Sequence, residues 1–206
     1  MKRKSPRLSR VAEYTTKELS EKTWPDFEQL FETHPGPGAY PCWCMYNHWC
    51  GSLDKADKLD SSVQRTLRNH REKRALVETG ASHGILIYCQ GQPVGWCQYG
   101  AAEELPRIES NPRYRMLVRE AGTTRLWRIT CFVTHRKYRH RGIARRALKA
   151  ALEAIQNRGG GMVEAYPIRR WGAYAEYRGT LSMFKTEGFK IVAPIGRNNV
   201  LVRRAI

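Results

Sequence analysis

The chain lacks any apolar run long enough to cross a bilayer, which excludes a helical membrane span. Its opening residues, Met1 to Arg10, contain no apolar core and do not read as a secretory signal. Acidic residues are scarce: 19 Asp and Glu face 36 Lys and Arg, for a formal charge of +17. That deficit disfavours a polycationic partner unless Glu103, Glu104 and Glu109 form a local acidic mouth. It points to a phosphorylated cofactor, a nucleic acid or an acidic surface, and simple solubility accounts for it equally well. Six cysteines among 206 residues are too few for a secreted disulfide framework, so free thiols in a reducing cytoplasm are expected. The phosphate-binding pattern G-x-x-x-x-G-K-[ST] is absent, and Gly142 has no loop glycine two residues away, as a Rossmann fingerprint requires. Helix-turn-helix, zinc-finger and RNP patterns are missing too. There is no internal repeat, and no domain linker after residue 20.

Residues 1–11 read as a basic flexible tail, and 12–206 as a single domain. A short strand is expected over 11–16 and a helix after Thr23, with Pro25 in its first turn and Trp24, Phe27, Leu30, Phe31 and His34 on one face. A second helix is expected from Ser61 to Thr79, with Val63, Leu67, His70, Arg74 and Val77 aligned. Residues 84–99 read as a β-hairpin, and 101–125 as a long loop with one helical turn. Further strands are expected at 162–166, 189–192 and 199–203, with a short helix over 179–187. Alternating strands, hairpins and helices give an α/β (α+β) fold with a mixed, mostly antiparallel central sheet and helices on both faces.

The strongest signal runs from 126 to 161. An apolar strand, Leu126 to Thr134, leads into a basic loop that reaches Gly142. An alanine-rich helix follows, with Ala144, Ala147, Leu148, Ala151, Leu152 and Ile155 on its inner face. Strand, glycine loop and helix in this order aim backbone N–H groups at an anion. Gly142 allows close approach, and Arg136, Lys137, Arg139, Arg141, Arg145 and Arg146 add positive charge. A diphosphate fits such a place.

The loop Arg139, His140, Arg141, Gly142, Ile143, Ala144 resembles the R/Q-x-x-G-x-G/A signature of the GNAT superfamily of N-acetyltransferases. The order of elements is similar from about residue 20 onward, and Gly188 with Phe189 closes a short helix as in that superfamily. The segments 94–97, 163–167 and 179–184 are similar to a bacterial subgroup of unassigned substrate. The resemblance implies a GNAT-like acyl-CoA-binding domain with acetyl-CoA as co-substrate. Its pantetheine arm would lie along Cys131, Phe132 and Val133, and its diphosphate on the amides of Arg139, His140, Arg141, Gly142, Ile143, Ala144 and Arg145. The implied reaction is direct attack of a primary amine, from a small molecule or peptide, on the thioester. A homodimer is left open.

Such chemistry needs a base for the amine and a proton for the leaving thiolate. Glu164, on the strand expected to flank the thioester, is the first candidate base, with Glu103 and Glu104 behind it. The superfamily's usual acid is a tyrosine four residues before the Gly-Phe pair, where this chain has Phe184. Tyr177 is the substitute candidate, with Tyr174 beside it. A second reading follows from the charge: acetylation of an RNA-linked amine, with the basic tail and the 65–74 face gripping phosphate. A third is a non-catalytic nucleic-acid module with a degenerate acyl-CoA fold.

Cys42, Cys44, His48 and Cys50 crowd one aromatic segment. Zinc ligands favour C-x₂₋₄-C spacing, and the C-x-C here has no second cluster, so no metal is assigned. The segment reads instead as packing near the acceptor, with Trp43, Tyr46 and Trp49 as apolar walls.

Overall fold

A computed structural model describes residues 13–34, 41–49, 61–118, 125–169 and 175–206. The expected tail, Cys50 and Tyr174 lie outside the described residues. One seven-stranded sheet organises the rest. Its strands are β1 (Tyr14–Glu18), β2 (His83–Cys89), β3 (Gln92–Ala101), β4 (Leu126–Thr134), β5 (Met162–Ala165), β6 (Lys190–Pro194) and β7 (Val200–Ala205). Their order is β1-β2-β3-β4-β5-β7-β6. Only β4 and β5 pair in parallel; every other neighbouring pair is antiparallel. The expected mixed, mostly antiparallel sheet is therefore the observed one, although β1 starts three residues later than expected.

A parallel pair needs a crossover, and the alanine-rich helix supplies it. This helix, α4 (Ile143–Asn157), buries Ile143, Ala147, Leu148, Ala151, Leu152, Ala154 and Ile155 against one face of the sheet. Each of its large side chains contributes about 1.5–3 kcal/mol by burial. Its small residues permit close approach, and so does β3: a Cβ on Gly95 would stand 2.3 Å from the Ile143 side chain. Short α6 (Leu181–Thr186) covers the same face, where Phe184 is packed edge-on to Phe132 and Phe189.

The opposite face is covered by α1 (Trp24–Thr33), by α2 (Ser62–Glu78) and by residues 43–45. In α1 the expected stripe is buried, except that His34 forms the C-terminal boundary. In α2 the cap is as expected at Ser61, which exchanges hydrogen bonds with Gln64. The buried stripe is not: Asn69, Lys73 and Val77 face inward, while Val63 and Leu67 are exposed. The helix lies over polar side chains of the sheet and of residues 44–48, so its polar positions turn in. The 101–125 region is more ordered than a loop, with a 3₁₀ turn at Pro106–Ser110 and α3 (Pro112–Val118). Short α5 (Ala175–Arg178) packs on β4. No helix among the described residues is long and apolar enough to cross a membrane.

Candidate acyl-transfer site

β4 and β5 stay together for four paired residues, from Leu126 with Met162 to Ile129 with Ala165. Then β5 ends while β4 continues to Thr134. At the same level the β3–β4 ladder slips: Gln98 pairs with Cys131 and Tyr99 with Ile129, leaving Thr130 as the extra residue of a bulge. Past Ile129, no strand among the described residues pairs with β4 on its β5 side. The chain thus opens a split along Thr130 to Thr134, and Cys131, Phe132 and Val133 line its β4 wall.

The basic loop stands at the far end of that wall. A 3₁₀ turn over Arg136–Tyr138 leads to His140 at φ 61° and Gly142 at φ 76° before α4 begins. Glycine takes that conformation at no steric cost. A Cβ on Gly142 would meet no atom within 4 Å, so its surroundings are open. Arg146 donates its amide to the Gly142 carbonyl at 3.0 Å. Among the described residues, the amides of His140 through Arg145 donate to no protein acceptor. Six donors at a helix start, beside the split, form an anion cradle. The guanidiniums divide their roles. Arg145 pairs with Glu187 at 2.6 Å, Arg146 lies over the Tyr14 ring and Arg141 over Tyr138. Sequence reasoning missed the pairing of His34 with His135, whose tilted rings lie 3.9 Å apart at the root of this loop. Burial and then the positive charges of His135, Arg136 and Arg139 push His34 down to about 4.

The face opposite α4 holds a buried polar group near the split. Lys73 is 0% exposed, with its Nζ 3.1 Å from His48 Nε2 and near the rings of Trp96 and Phe27. His48 Nδ1 lies 2.8 Å from the Glu104 carbonyl. Gln98 Nε2 reaches both His48 Nε2 at 3.0 Å and the Cys44 carbonyl at 2.9 Å, and Gln98 Oε1 accepts from the Thr130 hydroxyl at 2.9 Å. Burial, then the charge of Lys73, pushes His48 down to about 2, and burial lowers Lys73 to about 8. Burial and contact with Cys131 push the Cys44 thiol well up, and contact with Cys44 does the same for Cys42. These are protonated thiols rather than reactive thiolates. No group of three or more His, Cys, Asp or Glu among the described residues could hold a metal ion.

The aromatic walls are sorted differently from expectation. Trp43 is core, stacked on Phe31; Tyr46 is exposed beneath Arg107; Trp49 is partly buried in the cluster that includes Cys131 and Tyr177. Tyr177, on α5, therefore stands close to the β4 wall. Glu164 does not face the split as an unengaged carboxylate. It is 0% exposed, and its Oε1 accepts from the Tyr114 and Tyr166 hydroxyls and from Arg128. Its Oε2 accepts twice from Arg203. No oxygen remains to take a substrate proton, so the geometry gives Glu164 an anchoring role where the sequence pointed to a base. Glu104 is tied to His83 and the Ala101 amide, Glu109 to Arg128, and Glu103 is exposed.

Comparison with known proteins identifies the family and the fold. Residues 43–168, more than half of the chain, match the model of the Acetyltransferase (GNAT) family. No curated protein matches the sequence as a relative. Among solved structures, a domain from Methanocaldococcus jannaschii superposes with a TM-score of 0.54 at 12% identity, covering 95% of this chain and 99% of that one. An acetyltransferase from Thermus thermophilus gives 0.51 at 15%, covering 95% and 99%. A GNAT-family acetyltransferase from Streptococcus pneumoniae gives 0.51 at 15%, covering 94% and 99%. At such identities the likeness is one of fold. With the split, the cradle and the family match together, the chain belongs to the GNAT family of acetyltransferases, with acetyl-CoA as co-substrate.

Proposed function

We propose that this protein transfers the acetyl group of acetyl-CoA to a primary amine by direct attack on the thioester. The supporting observation is the parting of β4 from β5 after Ile129, beside six amides at the start of α4 that have no acceptor among the described residues. In this reading the pantetheine arm lies along Cys131, Phe132 and Val133. The diphosphate sits on the amides from His140 to Arg145, since the Arg139 amide donates to the Arg136 carbonyl. The amine nitrogen bonds to the carbonyl carbon, the carbon–sulfur bond breaks, and the thiolate takes up a proton. Backbone N–H groups on the open side of β4 stabilise the oxyanion, a contribution of roughly 3–4 kcal/mol per donor in comparable sites. Proximity within the split supplies much of the rest.

Solvent takes the amine's proton before attack, since Glu164 is fully engaged. Tyr177 is the proton donor for the thiolate in this reading, supported by the packing of α5 on β4 and of its ring against the cluster that includes Val133. Thiol release from acetyl-CoA, measured across a panel of primary amines, tests the activity; no release with any amine, together with no coenzyme A binding by calorimetry, overturns it. Tyr177→Phe tests the acid: a kcat unchanged across pH removes Tyr177.

The charge of +17 favours one further reading, in which the amine is carried on RNA. Arg65, Arg68, Arg71 and Arg74 on α2 would then contact phosphate. RNA binding that weakens steeply with salt and is accompanied by turnover supports that acceptor. Salt-sensitive binding without turnover supports a non-catalytic module instead.

A further inference from the structure

The buried chain from Lys73 to Thr130 has a direction fixed by its ends. The Glu104 carbonyl can only accept, so His48 Nδ1 carries the proton facing it. His48 is neutral, so its Nε2 is an acceptor, and both Lys73 and Gln98 donate to it. The Gln98 amide is oriented by the same logic. Its nitrogen is 2.9 Å from the Cys44 carbonyl, and the flipped amide would press two oxygens together at that distance. Gln98 therefore presents Oε1 to Thr130, whose hydroxyl must spend its one proton there, at 2.9 Å. A threonine in this state keeps only lone pairs to offer.

Thr130 is also the bulge residue at which β4 leaves β5, and it is partly exposed. One face of the sheet here is closed by Phe132, Phe184 and α4. The other carries Trp49, Cys131 and Tyr177. We infer that Thr130 orients the acceptor amine: its lone pair takes an N–H of the substrate at the mouth of the split, and Lys73, His48 and Gln98 are positioning residues that keep the hydroxyl from donating. This rests on the acetyl-transfer reading for the location of the thioester. It adds a specificity rule, because a substrate that donates a hydrogen bond is held, while an isosteric ether or carboxylate, which has no proton to give, is not.

Two measurements on the full chain loaded with coenzyme A test this. In the first, ¹⁵N NMR of the histidine rings reads the tautomer of His48. The Nδ1–H form is expected throughout pH 5–8, and an Nε2–H form reverses the chain and overturns the inference. In the second, n-butylamine is titrated into the wild type, Thr130→Ser and Thr130→Val. Saturable binding is expected for the first two, with an affinity lower by about tenfold in Thr130→Val. Coenzyme A affinity should be the same in all three and reports that each is folded. Equal amine affinity in all three proteins, or no amine binding to the wild type, overturns the inference. Failure of the wild type to bind coenzyme A overturns the acetyl-transfer reading instead.

Discussion

The Glu164 carboxylate on β5 and the Arg128 guanidinium on β4 sit on directly paired residues of the parallel ladder, 3.2 Å apart, both buried. Arg203 from β7 approaches the same carboxylate at 3.1 Å, and Arg128 also donates to the Ala102 and Leu105 carbonyls. This single carboxylate ties three strands and the 102–109 segment together just below the split. Glu164→Gln keeps the shape but removes the carboxylate from Arg203 and leaves Arg128 with the exposed Glu109 as its counter-charge. The expected loss is about 3–5 kcal/mol of unfolding free energy. Urea denaturation reads it, and the pH profile of kcat in the folded fraction should keep both limbs. A lost limb with unchanged stability would restore Glu164 as the base.

Gly142→Ala isolates the cradle. The residue holds φ 76°, which costs a non-glycine residue roughly 1–2 kcal/mol, while the added methyl meets no protein atom. Stability should fall by that modest amount. Coenzyme A binding should weaken by about tenfold or more, because the methyl occupies the ligand's approach and the strained turn re-aims the amides. Calorimetry beside a thermal melt separates the two, and an unchanged dissociation constant removes the loop from the coenzyme site.

Lys73 gives the fold a pH signature. Burial lowers it to about 8 against an ordinary value of 10.5. The folded state thus gives up its proton before the unfolded chain does. Below pH 8 both states hold the proton, and the cost of burying the charge is fully present. Between about 8 and 10.5 the unfolded state binds more protons, so stability rises with pH. Lys73→Met lacks this group, so the wild type should gain on it over that window by on the order of 3 kcal/mol. Paired denaturation curves at pH 7.5 and 10 read the difference, and parallel curves would mean the ammonium is solvated.

Phe184 occupies the position where the superfamily's usual proton donor is a tyrosine. It is 0% exposed, against Phe132 and Phe189, and its ring lies 3.0 Å from where a Cβ on Gly179 would stand. Phe184→Tyr should not restore a standard acid. It should place a hydroxyl in an apolar pocket at a cost of about 1–3 kcal/mol, with no rise in kcat. A faster enzyme with unchanged melting temperature would show that the hydroxyl reaches the thiolate.

What was legible in the sequence was what local pattern controls. Ala147, Leu148, Ala151 and Ile155 recur at helical spacing because α4 meets an apolar sheet, and its glycine start follows from the turn it must make. The face of α2 was misread for the converse reason. Val63 and Leu67 look like an inner stripe, but the helix meets the 42–48 segment through polar side chains, Lys73 reaching His48 and Asn69 donating to the Cys42 carbonyl. Glu164 could be placed on a strand beside the split from sequence. Its partners could not, since Arg128, Tyr114 and Arg203 arrive from distant points in the chain. His48 could be read from sequence only as one residue of a packed aromatic and cysteine segment; its hydrogen bonds to Glu104, Lys73 and Gln98 come from distant points in the chain. Trp43 looked like a pocket wall beside Trp49, yet it stacks on Phe31 within the core.

The brevity of β5 leaves a seam inside the sheet, where the main chain of β4 past Ile129 meets no partner strand among the described residues. Compact anions satisfy the helix start yet leave that seam hydrated. A ligand with a long, flat, amide-bearing tail satisfies both, in effect a non-peptide strand zipped between two protein ones. In the acetyl-transfer reading, the length and amide content of the donor therefore count alongside its nucleotide end.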